Sequence, residues 1–182
     1  MLAFVVAAPA AACCRGVHLY PRGYDRSAAP PPLAIGDSVM LGAARRLRRA
    51  GFEVDAREGR FMRSALRILR TRRRTDRRPR VVVVALGTNY PARYREIRAA
   101  LRLLGRGRRL ALVTPKRSWR AIGSRPIYRA ARRHPRRVRV LDWVGWSAAH
   151  DDWFYGDGTH LRPSGQRAYA RLLATALPKR RP

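Results

Sequence analysis

Residues 81–89 read Val-Val-Val-Val-Ala-Leu-Gly-Thr-Asn. An unbroken apolar, β-branched run of this kind predicts a strand that is buried on both faces, because a strand with one face in water alternates apolar and polar residues. Strands buried on both faces occur in parallel sheets that carry helices on each side. The polar Gly87-Thr88-Asn89 therefore marks the carboxyl end of a central strand.

Strand-like and helix-like segments alternate on both sides of this run. Strands are predicted over residues 33–35, 52–56, 81–86, 109–113 and 138–141, and helices over residues 39–50, 61–73, 91–104, 124–133 and 163–177. Regular strand–helix alternation is typical of an α/β domain with a parallel sheet. We therefore expect a five-stranded parallel sheet with helices on both faces.

The chain divides into four parts by composition. Residues 1–14 are almost wholly apolar, and residues 15–32 end in Pro30-Pro31-Pro32, which stiffens the chain and predicts a linker. The folded domain is expected over residues 33–177, followed by a basic tail at 178–182. A domain of this length buries enough surface for a core of its own, and we expect a monomer.

The apolar leader leaves three interpretations open. At 14 residues it is too short to span a membrane, which takes about 20 apolar residues. It resembles the apolar core of a secretory signal, although the basic n-region is missing. Ala10-Ala11-Ala12-Cys13 also resembles a lipobox, which would place a lipid on Cys13, and the third interpretation is a disordered tail. We expect a secreted or cell-envelope, extracytoplasmic protein.

The net charge of +30, from 41 basic and 11 acidic residues, has two interpretations. One is an anionic partner, such as nucleic acid, a phospholipid surface or an acidic cell-envelope polymer. The other is a GC-rich genome, in which arginine is used wherever the protein tolerates a cation. Because the arginines are spread along the chain without interleaved aromatic residues, no specific nucleic-acid recognition is expected.

The residues that usually bind metals are too few and too scattered for a metal site. Both cysteines, Cys13 and Cys14, lie in the leader, so the domain carries no disulfide and no cysteine-based metal site. His18, His134 and His150 are isolated and lack the spacing of metal ligands. We expect no metal and no other cofactor.

Three polar tripeptides follow predicted strand ends: Gly36-Asp37-Ser38, Glu58-Gly59-Arg60 and Gly87-Thr88-Asn89. In open parallel sheets, ligands bind outside the carboxyl ends of the strands. The three loops are therefore expected to meet at one rim, where the fold places active sites.

The rim contains candidates for acyl-transfer chemistry. Ser38 opens a helix, where a hydroxyl is exposed near the positive end of the helix dipole, and its alternative role is that of a helix N-cap. In Asp157-Gly158-Thr159-His160, a turn can fold the carboxylate back onto the imidazole, as a serine nucleophile requires. The alternative is a loop aspartate beside a surface histidine.

Two further groups are candidates for stabilising an oxyanion. The Asn89 side chain can donate a hydrogen bond, and the Gly59 N–H can do so where substrate approaches closely. The alternatives are that Asn89 caps the helix that follows Pro91 and that Gly59 serves a plain turn.

Taken in order, Gly36-Asp37-Ser38, Gly59, Gly87-Thr88-Asn89 and Asp157-Gly158-Thr159-His160 resemble the four blocks of the SGNH (GDSL-type) hydrolase superfamily. The resemblance covers about residues 33–177. It implies a flavodoxin-like three-layer α/β/α sandwich. It also implies that Ser38 is the nucleophile, with Asp157 and His160 as its partners. The implied oxyanion hole consists of the Ser38 N–H, the Gly59 N–H and the Asn89 side chain.

Within the superfamily, residues 35–40 and 157–163 look most like SGNH domains attached to membrane acyltransferases, which move or remove acetyl groups on cell-wall glycans. Two departures bear on the reaction. The third block usually reads Gly-x-Asn-Asp, whereas Tyr90 stands here in place of the aspartate. The 182 residues contain no membrane acyltransferase domain, which favours hydrolysis over transfer.

Four residues near the blocks are candidates for substrate binding. Arg60 and Arg162 would bind an anionic substrate group, or they are ordinary surface arginines. Tyr90 and Trp153 would contribute an aromatic wall for a sugar or acyl chain, and for Trp153 the alternative is packing within the cluster of Trp143, Trp146, Phe154 and Tyr155.

The sequence thus predicts a serine esterase that acts on O-acyl, above all O-acetyl, esters of a carbohydrate, of another cell-envelope substrate or of a small ester. One alternative is an O-acyltransferase that uses the same three residues. The other is a basic protein that binds an anionic polymer and retains only a vestigial site.

Overall fold

The computed structural model describes residues 15–178 and has a sheet between two layers of helices. The strands are β1 (Gly16–Leu19), β2 (Leu33–Gly36), β3 (Glu53–Arg57), β4 (Val81–Ala85), β5 (Arg109–Val113), β6 (Lys116–Arg117), β7 (Arg120–Ala121) and β8 (Val138–Leu141). The helices are α1 (Ser38–Arg49), α2 (Met62–Arg74), α3 (Tyr94–Leu104), α4 (Arg125–Arg133), α5 (Trp143–Trp146) and α6 (Pro163–Ala174), with a short 3₁₀ turn at Asp151–Trp153. The leader at 1–14, including Cys13, and residues 179–182 of the tail lie outside the described residues.

The central sheet has six strands in the order β1-β3-β2-β4-β5-β8. The predicted α/β class and parallel sheet are confirmed, since β3, β2, β4, β5 and β8 run parallel. The predicted number of five strands is wrong. The sixth strand, β1, pairs antiparallel with β3, with Gly16 opposite Arg57, and it comes from the segment at 15–32 that was expected to be a linker.

The position of β4 at the centre of the sheet explains why its sequence is apolar throughout. Val81 and Val83 pack with α1 and α6 on one face of the sheet, whereas Val82 and Val84 pack with α2 and α3 on the other. All four side chains are at most 2% exposed. Burying each one stabilises the fold by about 1.5–3 kcal/mol.

A buried carboxylate ties the edge of the sheet to a helix. Glu53, at the start of β3, is fully buried and accepts a hydrogen bond from the Arg72 guanidinium on α2. The imidazole of His18 on β1 is within hydrogen-bonding distance of the same carboxylate oxygen. A buried charge is tolerated only with such partners, so this cluster fixes β1 and α2 against β3.

Strand order places three loops at one edge of the sheet. Because β2 lies between β3 and β4, the turn from β2 to Ser38 lies between the loops that follow β3 and β4. These outer loops contain Gly59 and Asn89. The fold therefore brings the three predicted tripeptides to a common rim. No helix within residues 15–178 has the length and apolar character needed to cross a membrane.

Candidate active site

The side chains of Ser38, His160 and Asp157 form a continuous hydrogen-bonded series at this rim. Ser38 Oγ lies 3.0 Å from His160 Nε2. On the other side of the ring, His160 Nδ1 lies 2.6 Å from Asp157 Oδ2. The serine and the histidine are 122 residues apart in the chain, so only the fold brings them together.

The turn from Asp157 to His160 holds the carboxylate in a fixed orientation. Asp157 Oδ1 accepts hydrogen bonds from the backbone N–H groups of Thr159 and His160, each at 2.9 Å. Partial burial raises the pKa of Asp157, but the hydrogen bonds from the His160 side chain and from both N–H groups outweigh it and leave this pKa below its ordinary value. The carboxylate is therefore ionised at neutral pH and faces the imidazole.

The hairpin of β6 and β7 supports this turn, and no sequence pattern predicts this hairpin. Its two turn residues, Ser118 and Trp119, both have positive φ angles, of 47° and 66°. The Ser118 N–H donates to Thr159 Oγ1 at 3.0 Å, and the Trp119 N–H donates to the Gly158 carbonyl at 3.2 Å. Two-residue hairpin turns with positive φ angles usually contain asparagine or glycine, and Ser-Trp lacks that signature.

The position of Ser38 is set by its neighbour Asp37. Ser38 is the first residue of α1, and Asp37 caps this helix by accepting a hydrogen bond from the Val39 N–H at 3.1 Å. Asp37 rather than Ser38 therefore takes the N-cap role that the sequence left open. Asp37 is 1% exposed, and burial raises the pKa of its carboxyl to about 6, against an ordinary value of 3.8.

The three groups proposed as oxyanion donors are available at the rim. Within residues 15–178, neither the Ser38 N–H nor the Gly59 N–H donates a hydrogen bond to the protein. Gly59 has a φ of +67°, and a Cβ at this position would meet no atom within 4 Å, so the backbone is open to a ligand. The Asn89 side chain donates one N–H to the Arg60 carbonyl at 3.3 Å. This hydrogen bond orients the amide and leaves its second N–H as the candidate oxyanion donor.

The four candidates for substrate binding lie in different surroundings. The Arg60 guanidinium is paired with Asp55 at 2.7 Å and is only 10% exposed. Arg162 donates from Nε to the Phe154 carbonyl at 2.7 Å. Trp153 is stacked between His150 and Trp143, with ring centroids 3.8 and 5.8 Å away.

Tyr90, the fourth candidate, is 53% exposed and accepts a hydrogen bond from Arg93 at its hydroxyl. About half of the Tyr90 side chain is therefore free for a ligand.

Within residues 15–178, no group of three or more histidine, cysteine, aspartate or glutamate side chains is arranged to hold a metal ion. The rim brings together a serine hydroxyl, an imidazole and a carboxylate. An imidazole between a hydroxyl and a carboxylate can remove the hydroxyl proton and generate a nucleophile.

The chain is similar in sequence to several O-acetyltransferases. The peptidoglycan O-acetyltransferase OatA of Listeria monocytogenes is 30% identical over 169 residues, which make up 87% of this chain and 27% of that protein. The O-acetyltransferase OatA of Staphylococcus aureus is 29% identical over 150 residues, 80% of this chain and 25% of that protein. The chain thus spans about a quarter of the length of the curated relatives it matches. No protein-family model matches it.

Solved structures show the same relationship. The C-terminal catalytic domain of the peptidoglycan O-acetyltransferase OatA of Streptococcus pneumoniae is 26% identical with a TM-score of 0.67, over 82% of this chain and 93% of that one. A member of the lipolytic G-D-S-L family from Veillonella parvula shares the fold at 12% identity, with a TM-score of 0.63 over 80% of this chain and 97% of that one. The resemblance predicted from the four sequence blocks is thereby confirmed: the chain is similar to OatA-type O-acetyltransferases and shares the fold of SGNH (GDSL) enzymes.

Proposed function

We propose that this chain is a serine esterase that removes O-acyl groups, above all acetyl groups, from a cell-wall carbohydrate. The observation that carries the proposal is the contact of 3.0 Å between Ser38 Oγ and His160 Nε2, with Asp157 on the far side of the ring. The names of the similar enzymes support the acetyl group and the peptidoglycan-type substrate.

The first step forms a tetrahedral intermediate, which leads to the acyl-enzyme. His160 Nε2 takes the proton from Ser38 Oγ as this oxygen attacks the ester carbonyl carbon. Asp157 keeps the other ring proton on Nδ1 and stabilises the imidazolium. The carbonyl electron pair moves onto oxygen, where the Ser38 N–H, the Gly59 N–H and the Asn89 amide receive the negative charge. The dipole of α1, which begins at Ser38, adds to this stabilisation.

The second step releases the acid. As the tetrahedral intermediate collapses, the bond to the sugar oxygen breaks and His160 gives this oxygen its proton. Water then loses a proton to His160 and attacks the acyl carbon, and the proton passes to Ser38 Oγ as the carboxylic acid leaves. The His160 side chain is 47% exposed, which gives water access to the acyl-enzyme and favours hydrolysis.

Pre-steady-state hydrolysis of p-nitrophenyl acetate tests the proposal. We expect a burst of p-nitrophenol that matches the enzyme concentration and disappears in Ser38→Ala. Ser64→Ala is the matched control, because Ser64 is also a serine in the first turn of a helix, α2. A Ser38→Ala protein with full activity would refute the proposal.

A second candidate function is O-acetyl transfer, which the names of the similar proteins favour. Here a sugar hydroxyl replaces water in the second step, and the same residues act. Product analysis with an activated acetyl donor and a glycan acceptor separates the two reactions. Acetylated glycan in excess of free acetate indicates a transferase, and the reverse indicates an esterase.

We place this activity outside the cytoplasm, because the similar enzymes are named for peptidoglycan, a cell-wall polymer. The monomeric state is likewise a proposal, and so is a single domain that, with β1 in its sheet, begins before residue 33 and ends near residue 177. Lipidation of Cys13 belongs with them, since that residue lies outside the described part of the chain.

A further inference from the structure

A groove of about 610 Å³ lies between α2 and the segment that leads into α3. It is separate from the Ser38–His160 contact, and neither of these two residues lines it. Five arginine side chains line the groove, together with a single carboxylate residue, Glu96. The arginines are Arg63, Arg67, Arg70, Arg93 and Arg95. We call this feature the arginine groove.

The positive charge of the arginine groove has few counter-charges. Glu96 is engaged, because its carboxylate accepts the Arg93 backbone N–H at 2.8 Å. In the part of the chain that the structure describes, the arginines in ion pairs are Arg60, Arg72 and Arg78, none of which lines the groove. The groove thus offers guanidinium groups to an anion.

Three of these arginines form a row on one helix. Arg63, Arg67 and Arg70 are spaced by four and three residues along α2, which places them on the same helix face, and all three are exposed. Neighbouring positions in the row are about 4.5 and 6 Å apart along the helix axis. This row matches a polymer whose negative charges repeat at the length of one sugar ring.

Two aromatic rings also line the groove. Phe61 is 50% exposed and Tyr90 is 53% exposed. A large apolar ring that remains half exposed to water contributes little to the stability of the fold. The rings instead offer flat surfaces on which the apolar face of a pyranose can pack.

The groove begins at the proposed oxyanion donors. Phe61 follows the loop of Gly59 and Arg60, and Tyr90 follows Asn89. The two loops are joined by the hydrogen bond from the Asn89 amide to the Arg60 carbonyl. Because these loops flank the β2 end that carries Ser38, a chain that lies in the groove reaches the rim beside the nucleophile.

We propose that the arginine groove binds a carboxylate-bearing stretch of the glycan whose ester reacts at Ser38, an inference that rests on the proposed function. Guanidinium groups bind carboxylates through paired hydrogen bonds that an ammonium cannot match. A glycan explains both the charged row and the two rings. Single-stranded nucleic acid fits less well, because it needs rings interleaved along the basic surface.

Binding to an acidic oligosaccharide tests the proposal directly. The probes are a fluorescent oligogalacturonate and the same oligomer with its carboxylates methyl-esterified, each titrated at 0.15 M salt. We expect the acidic oligomer to bind about tenfold more tightly than the neutral one, as three weak ion pairs together imply. Substituting Arg63→Gln, Arg67→Gln and Arg70→Gln together is expected to remove this difference.

A matched control removes three positive charges elsewhere. Arg45 and Arg49 on α1 and Arg167 on α6 are exposed and lie on the opposite side of the sheet. Their triple substitution by glutamine is expected to leave the affinity within about twofold of the unmodified protein, because exposed charges beyond a Debye length are screened. An Arg→Lys triple in the groove, which keeps the charge and the helix, is expected to bind with intermediate affinity.

Three results would overturn the proposal: equal losses in the groove and control triples, equal binding of the acidic and neutral oligomers, or tighter groove binding of an oligothymidylate of equal charge. The binding assay involves no turnover. Failure of the unmodified protein to hydrolyse p-nitrophenyl acetate therefore refutes the proposed function without affecting the binding result. Normal hydrolysis without binding of the acidic oligomer refutes the proposed role of the arginine groove alone.

Discussion

Asp37 is a buried carboxyl next to the proposed nucleophile. Because burial raises its pKa to about 6, the folded state holds a proton that the unfolded state loses near pH 4. This proton stabilises the fold at low pH, and its contribution disappears as the pH rises through 6. The shift corresponds to about 3 kcal/mol, at about 1.4 kcal/mol per unit of pKa.

We therefore predict that Asp37→Asn, which keeps an oxygen for the Val39 N–H, gains stability relative to the unmodified protein as the pH rises from 4 to 7. The difference in free energy of unfolding is expected to grow by up to about 3 kcal/mol. Urea denaturation at several pH values measures it. Asp151→Asn, at an exposed side chain, is the control. A difference that stays constant with pH would contradict the assignment.

Asn89 is the one side chain among the three proposed oxyanion donors. We predict that Asn89→Ala lowers kcat by about 10²-fold and changes KM little, because the amide acts on charge that develops only in the transition state. Asn89→Asp, which keeps the shape and loses the donor, is expected to be equally slow. Steady-state kinetics with p-nitrophenyl acetate give both constants, and a rise in KM at unchanged kcat would show that Asn89 only binds substrate.

The residues at the rim were predictable to different degrees. Ser38 and Asn89 follow strands, and Asp157 precedes His160 by one turn, so local sequence identifies all of them as candidates. The contacts of Trp119 and Thr159 were not predictable, because they depend on a hairpin turn without the usual turn residues. Nor does the sequence show that the Arg60 guanidinium is engaged by Asp55.

At the scale of elements, the hairpin of β6 and β7 determines where the turn of Asp157 and His160 lies. Gly158 has a φ of +60°, and a Cβ there would lie 2.4 Å from the Trp119 ring. We predict that Gly158→Ala displaces the turn, separates His160 from Ser38 and lowers kcat by at least about tenfold. A misplacement of about 1 Å can cost more than this.

Gly23→Ala is the matched control, because Gly23 has a φ of +66° with no atom within 4 Å of an added Cβ. Both variants carry backbone strain of about 1–2 kcal/mol, but only the first meets the tryptophan. The activity of Gly23→Ala is expected to be unchanged. Equal activities in the two variants, measured with p-nitrophenyl acetate, would show that the hairpin does not position the turn.

The alternation of elements was predictable, whereas the edge of the sheet was not. Buried strands such as β4 are recognisable because both faces are apolar. Strand β1 is four residues long and lies at an edge where only part of each side chain is covered. Its sequence, Gly-Val-His-Leu, resembles a loop, and its place depends on pairing with β3 and on the Glu53 contact.

At the scale of the whole molecule, the net charge of +30 acts on stability. Repulsion among like charges opposes the compact state and is screened by salt. We predict that the melting temperature rises by several degrees between 10 and 200 mM NaCl and then levels off. Sucrose at the same concentrations is the control for solvent effects. A melting temperature that is flat or falls over this range would show that the charges are locally balanced.

The central claim is that the fold makes Ser38 a nucleophile, and covalent labelling tests it most directly. A fluorophosphonate probe reacts with an activated serine, and mass spectrometry of the digested protein identifies the modified peptide. We predict stoichiometric labelling of Ser38, its absence in Ser38→Ala and its strong slowing in His160→Ala. An unlabelled Ser38 in folded protein, or a label confined to another serine, would contradict the account.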